Sequence, residues 1–262
     1  MNPSLNGLGV LVTRPAHQAG PLCQWIEREG GVAIRCPTLS IVEPRDWTPA
    51  LAIFDRLNDD QLIIFTSVNA VDRALPPIRE RGGFPPGLDI AAIGQATSMA
   101  LARQGVTQCI RPDQGFTSEA LLALPRFQNV AGQRMVIVRG EGGRELLAET
   151  LTARGAHVEC AEVYRRERPI IDAEALLKRW ARGDIGAVVM TSIESLRNLF
   201  DMLGSAGKPY LCKTPLIVVS ARIQERAAEY GCRHLMLAHE ASDAAIMATL
   251  HSLTTNSSTL VR

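Results

Sequence analysis

A chain of 262 residues is comfortable for two domains of ordinary size. Apolar residues make up 46% and charged ones 21%, enough for packed cores, and 28 basic against 27 acidic residues leave a formal charge of +1. That balance argues against a nucleic-acid binder, which needs a basic excess to displace counterions, and no run of 18 apolar residues offers a membrane span.

The opening MNPSLNGLGVLVTRP has neither a basic segment nor a long apolar one, so a leaderless cytoplasmic chain is expected. Six scattered cysteines without C-x-x-C pairs then read as reduced core residues. VLVTR predicts a first strand and PLCQWIEREG a helix, and PTLSIVEP, proline-bounded and without helical period, predicts an extended connector. DQLIIFTS and DIAAIG predict strands, SMALARQG a helix and TSEALL a helix start. MVIVRG predicts a strand, LLAETLTARG a helix and EVYRRERP a second extended connector; AVVMTS and LIVVS are strands and ERAAEYG a helix. The Val/Ile-rich runs carry no polar alternation, as strands of a parallel sheet covered on both faces should. Glycines at the helix ends can take the left-handed cap. Such alternation builds βαβ units, and roughly five strands per domain give a flavodoxin-like arrangement.

The chain repeats itself. Arg14 and Arg139, Gly30 and Gly155, Pro44 and Pro169, and Thr66 and Thr191 are each 125 positions apart. Gly105 and Gly231 differ by 126, and Ser118 and Ser242 by 124. Each extended run follows the second strand of its repeat. Two equivalent connectors imply an exchange, in which the first βαβ of one repeat completes the sheet built by the other. The expected fold is α/β: two flavodoxin-like doubly wound parallel-sheet domains joined by two extended connectors. One domain would comprise 1–38 plus 168–262 and the other 39–167. Two consecutive domains with ordinary loops fit the same residues.

Ligands of open parallel sheets bind beyond the carboxyl ends of the strands. Those ends carry Thr13-Arg14, Thr66-Ser67, Gly94 to Thr97, Arg139-Gly140, Thr191-Ser192 and Ser220 to Arg222. Ser and Thr at a strand-to-helix turn are good N-caps, which is the simplest account of each one. The same helix starts also present free N–H groups and a positive dipole end, so facing domains would line a cleft suited to a ligand with several carboxylates or phosphates. There is no Walker loop, no G-x-S-x-G elbow and no helical histidine pair, and RGEGGRE has Glu145 where a dinucleotide fingerprint needs its third glycine. An enzyme with this inventory works by positioning.

The opening VLVTRP, PTLSIVEP, IIFTSVNAV, AAIGQATSMALARQGV, TSEALL and VIVRGEGGRELLAETLTARGAHVECAEVYRR, in that order over residues 8 to 250, resemble the uroporphyrinogen-III synthase family. The resemblance implies an interdomain active site, no cofactor and no metal. It implies closure of hydroxymethylbilane into an asymmetric macrocycle with inversion of the last ring and loss of water. A transient contact with hydroxymethylbilane synthase, a monomeric state, and no nucleic-acid or membrane partner complete it. Tyr164 matches the family's functional tyrosine and is the candidate catalytic residue; an interfacial tyrosine bonding the connector backbone is its simpler role. The substrate-binding candidates are Arg14, Thr66, Ser67, Gly94, Thr97, Arg139, Gly140, Thr191, Ser192, Ser220 and Arg222. VVSARIQ departs from the family's second I-G-x-x-T turn, and Arg222 stands in for a threonine contact there. A non-catalytic paralogue, or a two-domain binder of a polyanionic small molecule, is the alternative.

Overall fold

The computed structural model describes residues 4–115, 117–143 and 145–259. The chain divides into two compact units, Met1–Ser40 with Glu167–Arg262, and Ile41–Arg166.

The first unit holds β1 (Gly9–Val12), α1 (Ala16–Arg28) and β2 (Val32–Arg35). After the second unit it continues with α7 (Ala173–Ala181), β8 (Ala187–Met190), α8 (Ile193–Lys213), β9 (Leu216–Val218), α9 (Ala221–Glu229), β10 (Leu235–Leu237) and α10 (Asp243–Thr259). Its sheet runs β10-β9-β8-β1-β2 with every pair parallel. Numbered along the chain within the unit, that is the 2-1-3-4-5 winding of a flavodoxin-like sheet.

The second unit holds β3 (Ser40–Val42), α2 (Thr48–Phe54), β4 (Leu62–Phe65), α3 (Val68–Glu80), β5 (Asp89–Ala92) and α4 (Gln95–Arg103). It continues with α5 (Ser118–Leu122), β6 (Arg134–Gly140), α6 (Leu146–Ala153) and β7 (His157–Glu167). The order is β3-β7-β6-β4-β5, with β7, β6, β4 and β5 parallel. Repeat for repeat the strands take the same places, β7, β6, β4 and β5 matching β2, β1, β8 and β9, although here the β4–β5 half comes first in the chain; the counterpart of β10 is reduced to one parallel bridge between Ala91 and Ile110, and β3 adds an edge beside β7. Three strand starts keep the repeat offset of 125: Gly9 and Arg134, Val32 and His157, Leu62 and Ala187.

Every central strand feeds two cores. Ile63 and Phe65 of β4 join Val136 and Val138 of β6 against α2, α3 and α4, whereas Leu62 and Ile64 join Met135 and Ile137 against α5 and α6. Val10 and Val12 face α1 and α10, and Leu11 faces the core of α7, α8 and α9. This double burial accounts for the unbroken apolar runs. Each fully buried Val, Leu, Ile or Phe contributes about 1.5–3 kcal/mol from removal of apolar surface. Gly30, Gly105, Gly155 and Gly231, all just past helix ends, have φ of +77°, +89°, +88° and +98°. All six cysteines are free, with Cys23, Cys36 and Cys232 buried.

The two extended runs differ. After β2 the first is interrupted at Cys36-Pro37, and only Ser40–Val42 returns to a sheet. The second is the end of one continuous 11-residue strand, β7, which runs from His157 through Tyr164. Pro37 removes a ladder donor at the matching point, whereas β7 meets no proline before Pro169.

Candidate active site

At the carboxyl end of β4 the chain leaves the sheet through two hydroxyls. Thr66 Oγ1 donates to the Val138 carbonyl at 3.0 Å, tying the turn to the neighbouring strand. Ser67, extended at φ −165° and ψ 165°, caps α3, its Oγ accepting from the Ala70 N–H at 3.1 Å.

Next to this turn the β6–β7 ladder slips. Arg139 pairs with Glu162 but Gly140 pairs with Tyr164, so Val163 is an extra residue. A bulge of this kind re-aims the side chain that follows it. Val163 and Tyr164, neighbours that a regular strand would send to opposite faces, both lie in the same core. The Tyr164 ring lies over Gly140, where an added Cβ would stand 2.5 Å from Cε2. Its hydroxyl meets Ser67 Oγ at 3.2 Å. The residue is 2% exposed.

These residues line a cavity of about 510 Å³ together with Thr117, Ser118, Glu141 and Arg166. Arg139 also lines it, but its charge is already engaged. Its side chain is 11% exposed, and its Nη2 lies 3.0 Å from Glu145 and 3.1 Å from Glu162. Burial alone would lower the Arg139 pKa; the hydrogen bond with Glu145 and the neighbouring charges outweigh it and hold the guanidinium above its ordinary value. The Glu145 carboxyl is held below its usual range by the same bond. Arg139 Nε is buried without a hydrogen-bond partner among the described residues. Glu141 accepts from the Arg45 backbone N–H at 2.6 Å.

Of the candidates, Thr66, Ser67, Arg139, Gly140 and Tyr164 come together at this cavity. Gly94 and Thr97 belong to the same unit but do not line it: Gly94 sits at the N-cap of α4 with no side chain to offer, and Thr97 is buried at 4%. Arg14, Thr191, Ser192, Ser220 and Arg222 belong to the other unit. There Arg14 is paired with Asp243. Ser192 caps α8 through the Ser195 N–H at 2.9 Å and donates to Ser195 Oγ at 2.9 Å. Ser220 caps α9 through the Ile223 N–H at 3.4 Å, Thr191 is half-buried and Arg222 is exposed.

Thr117, Ser118 and Glu141 were not expected at the site. Thr117 caps α5 through the Ala120 N–H at 3.2 Å, so the TSEALL helix start was their available signal. Nothing in the local sequence marks Glu141, whose partner lies at Arg45. Among the described residues, no group of three or more His, Cys, Asp or Glu is placed to hold a metal ion.

The family model described as uroporphyrinogen-III synthase HemD matches residues 21–248. The uroporphyrinogen-III synthase of Escherichia coli is 34% identical over 246 residues, covering 93% of this chain and all of that protein. That of Salmonella typhimurium is 35% identical over 248 residues with the same coverage. In fold, the chain is similar to a mutant uroporphyrinogen III synthase from Thermus thermophilus, with a TM-score of 0.63 at 15% identity over 95% of this chain and 99% of that one. A match spanning most of the sequence, joined to relatives covered from end to end, makes this chain a member of the uroporphyrinogen-III synthase family.

Proposed function

We propose that the protein closes hydroxymethylbilane to uroporphyrinogen III, a cyclising hydro-lyase step of tetrapyrrole (haem, sirohaem, cobalamin) synthesis, with Tyr164 as the acid. The supporting observation is the Tyr164 hydroxyl, held in a buried ring at a cavity lined by hydroxyls, a glycine loop and an already neutralised arginine. Among the described lining residues there is no histidine or cysteine, and the one carboxylate, Glu141, is engaged by Arg45.

The chemistry asks little more. The Tyr164 phenol gives its proton to the terminal hydroxyl, which leaves as water and produces an azafulvene. The substituted carbon of the last pyrrole attacks it to give a spiro intermediate. Fragmentation and reclosure through that ring's open carbon invert the ring. The hydrogen shed from that carbon restores the proton, so water is the only by-product. Left to itself the reactive chain closes without inversion, so the protein's larger task is orientation. Thr66, Ser67, Gly94, Thr97, Gly140, Thr191, Ser192 and Ser220 stand at helix starts or strand ends, whose N–H groups suit the substrate's eight carboxylates. Arg14, Arg139 and Arg222 assist; the first two would first have to exchange a protein carboxylate for one of the substrate's.

We further take residues 1–38 with 168–262, and 39–167, as the two domains of a cytoplasmic monomer that receives hydroxymethylbilane from its synthase in a transient contact. No helix among the described residues is long and apolar enough to cross a membrane. The deciding experiment supplies hydroxymethylbilane and resolves the type I and type III products after oxidation. Type III is expected; type I alone, at the spontaneous rate, would leave a non-catalytic paralogue or polyanion binder.

A further inference from the structure

We infer that Ser67 is a positioning residue for Tyr164: its hydroxyl holds the phenol oxygen and stabilises it once the phenol has given up its proton. The inference rests on the reading of Tyr164 as the acid and adds a second group to it.

A serine hydroxyl has one proton to give and two lone pairs to accept with. The Ala70 N–H occupies one lone pair of Ser67 Oγ at 3.1 Å, which fixes the oxygen because that bond is also the cap of α3. The other direction points at Tyr164, 3.2 Å away. Before reaction the phenol can donate to Ser67 or to a group in the cavity. When its proton moves to the departing hydroxyl, the phenolate needs a donor. Among the described residues Ser67 is the hydrogen-bond partner of that oxygen, and a hydroxyl rotor can turn its proton onto it without moving a heavy atom. The bond then becomes charge-assisted and roughly doubles in strength, so it favours the transition state over the ground state.

Two other features keep the pair in register. The extra residue at Val163 turns Tyr164 toward α3, whose first turn presents Ser67. Gly140 leaves room for the ring against the β6 backbone. A serine needed only as a cap would require neither.

Ser67→Gly separates the two roles, because glycine is a tolerable N-cap yet has no hydroxyl. Ser67→Thr keeps cap and hydroxyl together. Type III formation should fall about 10- to 100-fold in Ser67→Gly, the loss expected for one charge-assisted hydrogen bond, with an unchanged melting temperature. In Ser67→Thr it should return to within about threefold of the parent, a gap of under 1 kcal/mol. In a Tyr164→Phe background, Ser67→Gly should add nothing, since the oxygen it serves is absent. A full, additive loss in that background would show that Ser67 acts on the substrate instead, and a Ser67→Gly enzyme at the parent rate would reduce it to a cap. If Tyr164→Phe alone proves fully active, the reading of Tyr164 has failed first.

Discussion

Leu39 and Tyr164, Pro15 and Gly140, and Ser192 and Ser67 occupy matching points of the two repeats, each pair 125 positions apart. The serines do the same local work, capping α8 and α3 through the third N–H of the helix. Everything around them differs. In the second unit a bulge delivers a tyrosine onto a glycine and against the serine. In the first, the serine's hydroxyl turns to Ser195 on its own helix, and the tyrosine and glycine are replaced by leucine and proline. The opposite ends of the sheets show the same divergence. Asp60, Arg134 and Glu159 form a partly buried ionic cluster in the second unit, whereas the matching residues of the first are Ile185, Gly9 and Ile34, two of them in a dry core. At Gly9 no side chain could stand, because the Asp184 carbonyl occupies the space. One framework thus accepts a polar cavity and an ionic cluster in one copy and packing in the other, because backbone hydrogen bonds and caps, not these side chains, define the winding.

The largest test of that contrast is Tyr164→Phe. Fold and substrate binding should persist, since one oxygen is lost from a ring that stays packed, while type III formation drops by about 10²–10⁴. Type I product should accumulate from bilane that escapes and closes in solution. A rate within twofold of the parent would leave orientation by backbone alone as the mechanism.

Gly140→Ala sharpens the comparison. A Cβ only 2.5 Å from the ring forces Tyr164 away from Ser67, so turnover should fall about 10- to 100-fold, with about 1–3 kcal/mol lost to overpacking. Unfolding curves beside initial rates separate the two, and an unaffected rate would mean that the ring position does not matter.

Ser192→Ala should cost about 1 kcal/mol of stability as a lost cap, and about tenfold in turnover at most. Complete inactivity in a folded variant would break the contrast, because the first copy would then carry chemistry too.

The smallest expected effect lies in the ionic cluster. Burial pushes the Asp60 carboxyl up, partly opposed by Arg134. A raised folded value means that its favourable contribution is present below the unfolded carboxyl range and is lost as pH rises through the raised value. Asp60→Asn should therefore melt slightly above the parent at pH 7, with the gap closing toward pH 4. A variant that melts lower at neutral pH would show that Arg134 depends on Asp60 more than burial opposes it.

The strands β1, β4, β5, β6, β8 and β9 were legible because burial on both faces writes itself into short unbroken apolar runs. The caps at Ser67, Ser192 and Ser220 were legible for a similar reason: strand end, hydroxyl and helix start are adjacent in sequence. What could not be read is whatever depends on distant partners. The slip at Val163 exists only as a mismatch between two strands, and EVYRRERP taken alone shows an extended run. Arg14 looked available for substrate because Asp243 lies 229 positions away, and of the two carboxylates on Arg139 one, Glu162, lies 23 away. Thr97 has the hydroxyl of a binding residue but points into a core, and only the packed helix reveals that.

The place of β1 carries a consequence for synthesis. It is a central strand, held on one side by β2 and on the other by β8, so half of its hydrogen-bonding edge waits for residues 187–189. At a ribosomal rate of about 5–20 residues per second, that edge stays open on the order of ten to thirty seconds after Val12 is made. The Ile41–Arg166 segment can meanwhile complete its own ladder, because all its central strands emerge in one stretch. The nascent chain therefore passes through a state with one finished sheet and one exposed Val-Leu-Val edge, a template for mispairing with other chains. Release of the polypeptide before β8 emerges should leave a species that aggregates through β1 and needs a chaperone to stay in solution.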